Sequence, residues 1–328
     1  MKQQQNGILS LIGATPLIQL TSIDKDLPFR IFAKLEGFNP GGSIKDRPAL
    51  NMIKQAMATG KVGPETVIIE SSSGNLGIGL AQVCLYFGLR FICVVDPKTT
   101  TQNLDIIQVY GAEIEMVSEP DTETGEYLPA RLKRVQTLMD KFSDSFWPNQ
   151  YLNEDNPGAH YKSTFSEIVT ELEKAPDYLL GAVSTCGTIM GCAHYNHDHG
   201  LETKLIAVDV VGSLIFGGDK KPRLLPGMGA SLKSQFLKES LLEEHVHVTD
   251  LDCVVGCRRL LRTEAILVGG SSGGVLMALD KIKERIPAGS TCVLIFPDRG
   301  ERYLDTIYSD NWVAQHFGNV EHLFTGGF

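Results

Sequence analysis

Apolar residues come in short runs separated by clusters of glycine, serine, threonine and proline, the pattern of alternating strands and helices. Gly13-Ala14-Thr15-Pro16-Leu17-Ile18-Gln19-Leu20 reads as a turn and a short alternating strand, and residues 29–35 as a second strand. Residues 46–59 place Leu50, Ile53, Ala56 and Met57 at helical spacing and stop at Gly60. One unit then recurs three times: apolar strand, small-residue loop, helix, next strand. The first runs through residues 67–70, Ser71-Ser72-Ser73-Gly74-Asn75, a helix over about 76–87, and 91–95. The second runs through 178–183, Ser184-Thr185-Cys186-Gly187-Thr188, a helix from about 189, and 205–208. The third opens on a weaker strand at Val268, then Gly269-Gly270-Ser271-Ser272-Gly273-Gly274, a helix over about 275–285, and 292–296.

This alternation predicts an α/β fold with mostly parallel sheets covered on both faces. The uneven spacing of the units excludes a solenoid. Residues 118–130 read as a surface loop, and the helix after them, about 128–141, carries Arg131, Lys133 and Arg134. Residues 212–230 hold seven glycines and prolines, a long irregular segment of the kind that is functional or mobile. The tail after Asn311 shows no strong element pattern.

Length adds that 328 residues suit about two domains with a substantial core. A hydrophobic content of 43% and a charged content of 21% are ordinary for a globular protein. The net charge of -9 argues against nucleic acid or an anionic membrane as partner, while leaving room for a positive pocket. Seven cysteines, an odd number without a zinc-type pair and partly within apolar runs, fit a reduced cytosol. Met1–Gln5 is polar and unlike a signal peptide, and no run of 18 apolar residues is present.

The small-residue loops carry the chemistry. A loop that opens a helix offers backbone N–H groups at the positive end of the helix dipole, a site for phosphate or carboxylate. Three such loops after strands would meet at one edge of a parallel sheet. No G-K-[ST] closes any of them, and Ser184–Gly187 lacks the first glycines of the dinucleotide fingerprint. In a fourth loop, Asn39-Pro40-Gly41-Gly42-Ser43-Ile44-Lys45-Asp46-Arg47, a single lysine follows a flexible turn. His194, His197 and His199 have no cysteine or carboxylate at ligand spacing to complete a metal site. Cys186 is the thiol a helix N-terminus would make reactive, and Cys253 and Cys257, one helical turn apart, read as packing.

These loops resemble the pyridoxal-phosphate enzymes of fold type II, the cysteine synthase and cystathionine β-synthase family. Gly13-Ala14-Thr15-Pro16-Leu17 is similar to its G-x-T-P-L, the Lys45 loop to N-P-x-x-S-x-K-D-R, and Ser72–Asn75 to T-S-G-N. Ser184–Thr188 is similar to G-T-G-G-T, and Gly300–Leu304 to G-E-R-Y-L, so the likeness runs in order over residues 8 to 310. Departures are Leu76 for threonine, Ser184 and Cys186 for glycines, and Asp298-Arg299 before Gly300, which put plain cysteine synthesis in doubt. Together with Asn39–Ser43 and Tyr303–Asp310 they point to the siderophore-pathway branch, which makes a precursor of 2,3-diaminopropionate.

The resemblance implies a tryptophan synthase β-like pair of αβα domains with the cofactor between them: a large one of residues 1–44 and 148–328 and a small, mobile one of residues 45–147. It implies a cytoplasmic homodimer with Lys45 as Schiff-base lysine and general base. Asn75 would contact the cofactor's phenolic oxygen, residues Ser184, Thr185, Cys186, Gly187 and Thr188 its phosphate, and Ser271 its ring nitrogen. Ser72, Ser73, Asn75 and Gln150 would hold the substrate carboxylate. Arg131, with Arg47 behind it, would meet the remaining negative charge, and Tyr151 and Ser184 would shape the second-substrate pocket. A solvated helix face is the plainer reading of Arg131, core packing that of Tyr151, and helix capping that of Asn75 and Ser271. The implied reaction is β-replacement through an aminoacrylate, with O-phospho-L-serine and L-glutamate as substrates. Cysteine synthase and a catalytically silent, metabolite-binding relative remain the alternatives.

Overall fold

The computed structural model describes residues 7–324, so the polar Met1–Gln5 lies outside the described residues. In chain order the elements are β1 (Leu17–Gln19), β2 (Arg30–Leu35), α1 (Asp46–Ala58), β3 (Val67–Ser71), α2 (Asn75–Phe87), β4 (Phe91–Val95) and α3 (Thr101–Val109). Then come β5 (Glu113–Met116), α4 (Tyr127–Lys141), β6 (Ser145–Phe146), α5 (Asp155–Ala159), a π-helical turn (His160–Thr164) and α6 (Phe165–Leu172). The last part holds β7 (Tyr178–Ala182), α7 (Gly187–Asp198), β8 (Lys204–Val210), β9 (Glu244–Val248), α8 (Asp250–Glu264), α9 (Gly270–Ile282), β10 (Thr291–Phe296) and α10 (Asp310–Phe317). Two compact units result: residues 7–12 with 39–156, and residues 13–38 with 157–324. Residues 7–12, 39–44 and 148–156 thus group with the lysine loop, although the sequence reading assigned them to the larger domain.

The first unit is built on a parallel sheet in the order β5-β4-β3-β6. Val-Ile-Ile in β3 and Phe-Ile-Cys-Val-Val in β4 are continuous buried runs, as parallel strands covered on both faces require. On α1 the buried stripe is Ala49, Met52, Ile53 and Ala56, at i, i+3, i+4 and i+7, and it packs with Ile78, Leu80 and Ala81 of α2. Leu50 and Met57, expected on that stripe, lie at its rim. The helix ends where Gly60 turns at φ 73°.

The second unit is built on a sheet in the order β1-β2-β10-β7-β8-β9, parallel except for β1. Thr15 of the N-terminal motif is tied down beside this sheet. Its hydroxyl donates to Glu36 Oε1 (2.7 Å), and its carbonyl accepts from the fully buried Lys34, 3.1 Å from Glu167. Most of α9 is buried, and its glycines let α8 approach closely. A Cβ on Gly273 would run into the Cys253 carbonyl and the Cys257 N–H, and one on Gly256 into the Gly273 carbonyl. Backbone cannot rotate away as a side chain can. Gly273→Ala is therefore expected to cost about 2 kcal/mol of stability in urea unfolding, against a near-neutral Gly→Ala change at an open position.

Three expectations are corrected here. The Gly269–Gly274 segment is not a loop after a strand: Val268 makes only an isolated bridge to Arg299, and the helix begins at Gly270. Packing of α9 against α8 and the sheet overrides the poor helix propensity of its glycines. The small-residue loops do not line one sheet edge either, because β3 and β7 belong to different sheets. Finally, the tail does form a helix, α10, capped by the Ser309 hydroxyl accepting from Trp312 N–H (3.3 Å). Segment 212–230 is irregular, as read, and contains no helix or strand.

Candidate active site

Lys45 stands at the N-cap of α1, half-buried, directly after a tight turn. Gly42 has φ 84°, which glycine alone adopts without strain, and its N–H donates to the Asn39 carbonyl (2.8 Å). Asp46 accepts from Gly41 N–H and so closes the turn, while Lys45 N–H donates to Ser43 Oγ (3.2 Å). Gly79 of α2 lies against this corner, and a Cβ there would stand 3.3 Å from the Lys45 carbonyl. The same first turn of α1 buries Arg47.

In the same unit the Ser71–Asn75 stretch links β3 to α2. Ser72 is buried, and its hydroxyl accepts from Gly77 N–H (2.9 Å), capping α2 from inside the loop. Ser73 and Asn75 are half-buried, and the Ser73 carbonyl accepts from Asn103 Nδ2 (3.2 Å). Gln150 reaches this stretch, its Nε2 donating to the Ser71 carbonyl (3.3 Å). Beneath it lies Glu70, a residue the sequence reading missed. Its Oε1 accepts from Trp147 Nε1 (3.0 Å) and Ser71 N–H (2.8 Å), and its Oε2 from Gln150 N–H (3.2 Å).

Arg131, expected on a charged helix face, is buried at 8% exposure, whereas Arg134 reaches the surface and pairs with Glu115. Arg131 Nε lies 3.2 Å from the Asp96 carboxylate, and Nη1 has no hydrogen-bond partner among the described residues. Tyr151 is close enough to feel it: burial pushes the phenol up to about 12, and the guanidinium opposes that shift. Arg131 likewise opposes the burial that pushes Cys93 up to about 12. Asp96, at the carboxyl end of β4, is a second missed residue.

In the second unit, residues 184–188 run from β7 into α7. Cys186 takes the left-handed conformation (φ 65°) at the N-cap and supplies no side-chain cap. It is buried among packed residues, which does not suit an oxidation-sensitive thiol. Thr185 Oγ1 accepts from Gly187 N–H (3.3 Å), and Thr188 Oγ1 lies 3.3 Å from His160 Nε2. His160 sits on the π-helical turn, with Nδ1 2.9 Å from Thr164 Oγ1. Segment 212–234 braces the loop from outside: Ser184 Oγ donates to the Gly229 carbonyl (3.1 Å) and Ser234 Oγ to the Thr185 carbonyl (2.6 Å). Ser271, in the first turn of α9, is 6% exposed, and the buried hydroxyl of its neighbour Ser272 makes no hydrogen bond among the described residues. No cluster of histidine, cysteine and carboxylates able to hold a metal is found among the described residues, and His199 instead stacks on Tyr195.

Comparison with known proteins identifies the family. The family of pyridoxal-phosphate dependent enzymes matches residues 8–298. The chain is a pyridoxal-phosphate-dependent enzyme. It is 45% identical, over 309 residues covering 94% of this chain and 91% of the other, to N-(2-amino-2-carboxyethyl)-L-glutamate synthase of Ralstonia nicotianae. Among solved structures it is similar to the O-acetylserine dependent cystathionine beta-synthase of Helicobacter pylori: TM-score 0.86, 33% identity, 94% of this chain and 100% of that one. It is also similar to an O-ureido-L-serine synthase: TM-score 0.85, 29% identity, 94% and 99% coverage. The fold is therefore that of the type II enzymes.

The enzyme's residues fit the cofactor its family uses. The start of α7 has N–H groups and no cap from Cys186, as a phosphate needs, and the first turn of α9 holds two buried hydroxyls, Ser271 and Ser272, the latter without a hydrogen-bond partner among the described residues. Glu70 also makes the enzyme's stability respond to pH. Burial raises its carboxyl from the ordinary 4.5 to about 7, against the opposing bonds from Trp147, Ser71 and Gln150. Because the folded value lies above the unfolded one, the folded state holds more protons between these limits. Stability from this group is then fully present below about pH 4.5 and lost as pH rises through about 7, by roughly 3 kcal/mol. Denaturant unfolding between pH 5 and 8 is expected to show that slope in the wild type and not in Glu70→Gln.

Proposed function

We propose that the enzyme exchanges the Cβ substituent of a serine derivative for an amine, converting O-phospho-L-serine and L-glutamate to N-(2-amino-2-carboxyethyl)-L-glutamate and phosphate. The observation that carries this reading is Arg131. A buried guanidinium that, among the described residues, is paired with Asp96 and has no hydrogen-bond partner on Nη1 suits an anionic substrate group and has no purpose toward a small nucleophile such as sulfide. The 45% identity to a synthase named for this product supports the same reading.

Lys45 would hold the cofactor covalently and, once released, take the Cα proton as general base. Asn75 would contact the cofactor's phenolic oxygen, and residues 184–188 would hold its phosphate through the N–H groups at the start of α7. Pyridoxal phosphate, when bound, supplies the electron sink that acidifies Cα and lets the Cβ substituent leave. Ser271 would face the ring nitrogen. Being neutral, its hydroxyl does not hold a proton there as an aspartate would, which favours rapid loss of the leaving group. Ser72, Ser73, Asn75 and Gln150 would bind the α-carboxylate. Arg131 would meet the glutamate side chain or the departing phosphate, with Tyr151 beside it.

The product contains a 2,3-diaminopropionate skeleton, so the reaction would supply that amino acid for siderophore synthesis in a cytoplasmic homodimer. Cysteine synthesis is the second reading, favoured by the similarity to a cysteine synthase of Entamoeba histolytica (TM-score 0.86, 32% identity). Absorbance of the yellow holoenzyme tests the first half of the reaction. O-phospho-L-serine is expected to change the spectrum without any second substrate. An unchanged spectrum at saturating O-phospho-L-serine contradicts the proposed donor.

A further inference from the structure

Glu70 is fully buried at the carboxyl end of β3, and the reaction scheme gives it no part. No salt bridge to it exists among the described residues, so nothing cationic offsets the cost of burying its carboxylate. For packing alone an apolar residue would serve better. What surrounds it instead is a set of N–H donors: Trp147 Nε1 and Ser71 N–H to one oxygen, Gln150 N–H to the other. Once ionised, above about pH 7, the carboxylate only accepts and so satisfies all three; a carboxamide turns a donor toward one of them. Gln150 closes the ring by donating through Nε2 to the Ser71 carbonyl (3.3 Å), and its own carbonyl accepts from Asn156 Nδ2 (2.7 Å). The other titratable groups that sense this carboxylate are Cys93 on β4 and Tyr151 beside Gln150.

We propose that Glu70 is a positioning residue: it clamps the 147–150 turn to the end of β3 and so aligns Gln150 with the Ser71–Asn75 stretch for binding the substrate α-carboxylate. This rests on the role given to Gln150 above. The clamp acts on binding and not on proton transfer, because the groups that Glu70 holds are Ser71 and the 147–150 turn. It also gives Trp147 a reporter function, since its indole N–H is one of the three donors.

The test compares holoenzyme variants Glu70→Gln, Gln150→Ala and the double variant, with O-phospho-L-serine as the varied substrate. Emission of Trp147 is read in parallel in a Trp312→Phe background. Glu70→Gln is expected to raise KM about 10-fold with kcat within about 2-fold, and to shift Trp147 emission. The double variant is expected to be no worse than the poorer single variant, because both act on one unit. Additive KM effects, or a lower Tm with unchanged KM, overturn the proposal. Where Glu70→Gln does not fold, Trp147→Phe removes one donor from the same carboxylate. It should raise KM about 3-fold, again without adding to Gln150→Ala, and additivity again counts against the clamp. A wild type inert toward O-phospho-L-serine defeats the donor assignment alone; the same variants are then read with O-acetyl-L-serine, where the same coupling supports the clamp and its absence overturns it.

Discussion

Lys45→Ala is expected to purify colourless and to lose about 10,000-fold in turnover, since on the proposed reading one side chain would supply both the covalent anchor and the general base. The loss should not come from unfolding. Lys45 is half-buried at a helix cap, and the turn before it is held by other groups: Gly42 at φ 84°, the Asn39 carbonyl and the Asp46 carboxylate. Tm of the apoenzyme is thus expected to match that of wild-type apoenzyme within a few degrees. Asp46→Ala is the contrasting variant, because it releases Gly41 N–H and opens the turn itself. Absorbance, steady-state turnover and thermal unfolding of the two variants separate loss of chemistry from loss of the loop.

The second large effect is expected at Arg131. Arg131→Ala should raise KM for L-glutamate about 100-fold, as loss of a charge-assisted, two-pronged contact in a buried site would. Turnover with sulfide as nucleophile, where it occurs at all, should change little. Arg131→Lys keeps the charge and loses the fork, so it is expected to recover only part of the affinity. Removing the guanidinium also leaves Asp96, 4% exposed, without its counter-charge. The paired variant Arg131→Ala with Asp96→Asn therefore belongs in the comparison: it should regain stability and not regain glutamate affinity.

Much of this architecture was legible in the sequence, for physical reasons that can be named. Apolar runs such as Phe91–Val95 and Cys292–Phe296 announce doubly covered parallel strands, and both are strands here. The turn before Lys45 was legible because paired glycines mark a backbone that other residues cannot follow, and Gly42 does stand at φ 84°. What stayed hidden depends on tertiary placement. Gly269–Gly274 carries every local sign of a loop, yet most of it is helix, because α8 can pack only against a surface without side chains. Arg131 and Arg134 look alike at i, i+3, and only the fold decides which one is buried against Asp96. Glu70 was in plain view as an acid ending an apolar run. A charged residue in such a position reads as the strand's exposed end, whereas here the chain returns at Trp147 and Gln150 to cover it. His160 gave no signal at all, since a π-helical turn brings it to Thr188.

The most direct measurement is a competition between nucleophiles. Purified holoenzyme is incubated with O-phospho-L-serine and equal concentrations of L-glutamate and sulfide, and the products are read by mass spectrometry alongside released phosphate. N-(2-amino-2-carboxyethyl)-L-glutamate as main product, with phosphate in equal amount, is the predicted result. Cysteine as the main product, or phosphate released without any glutamate adduct, would contradict it.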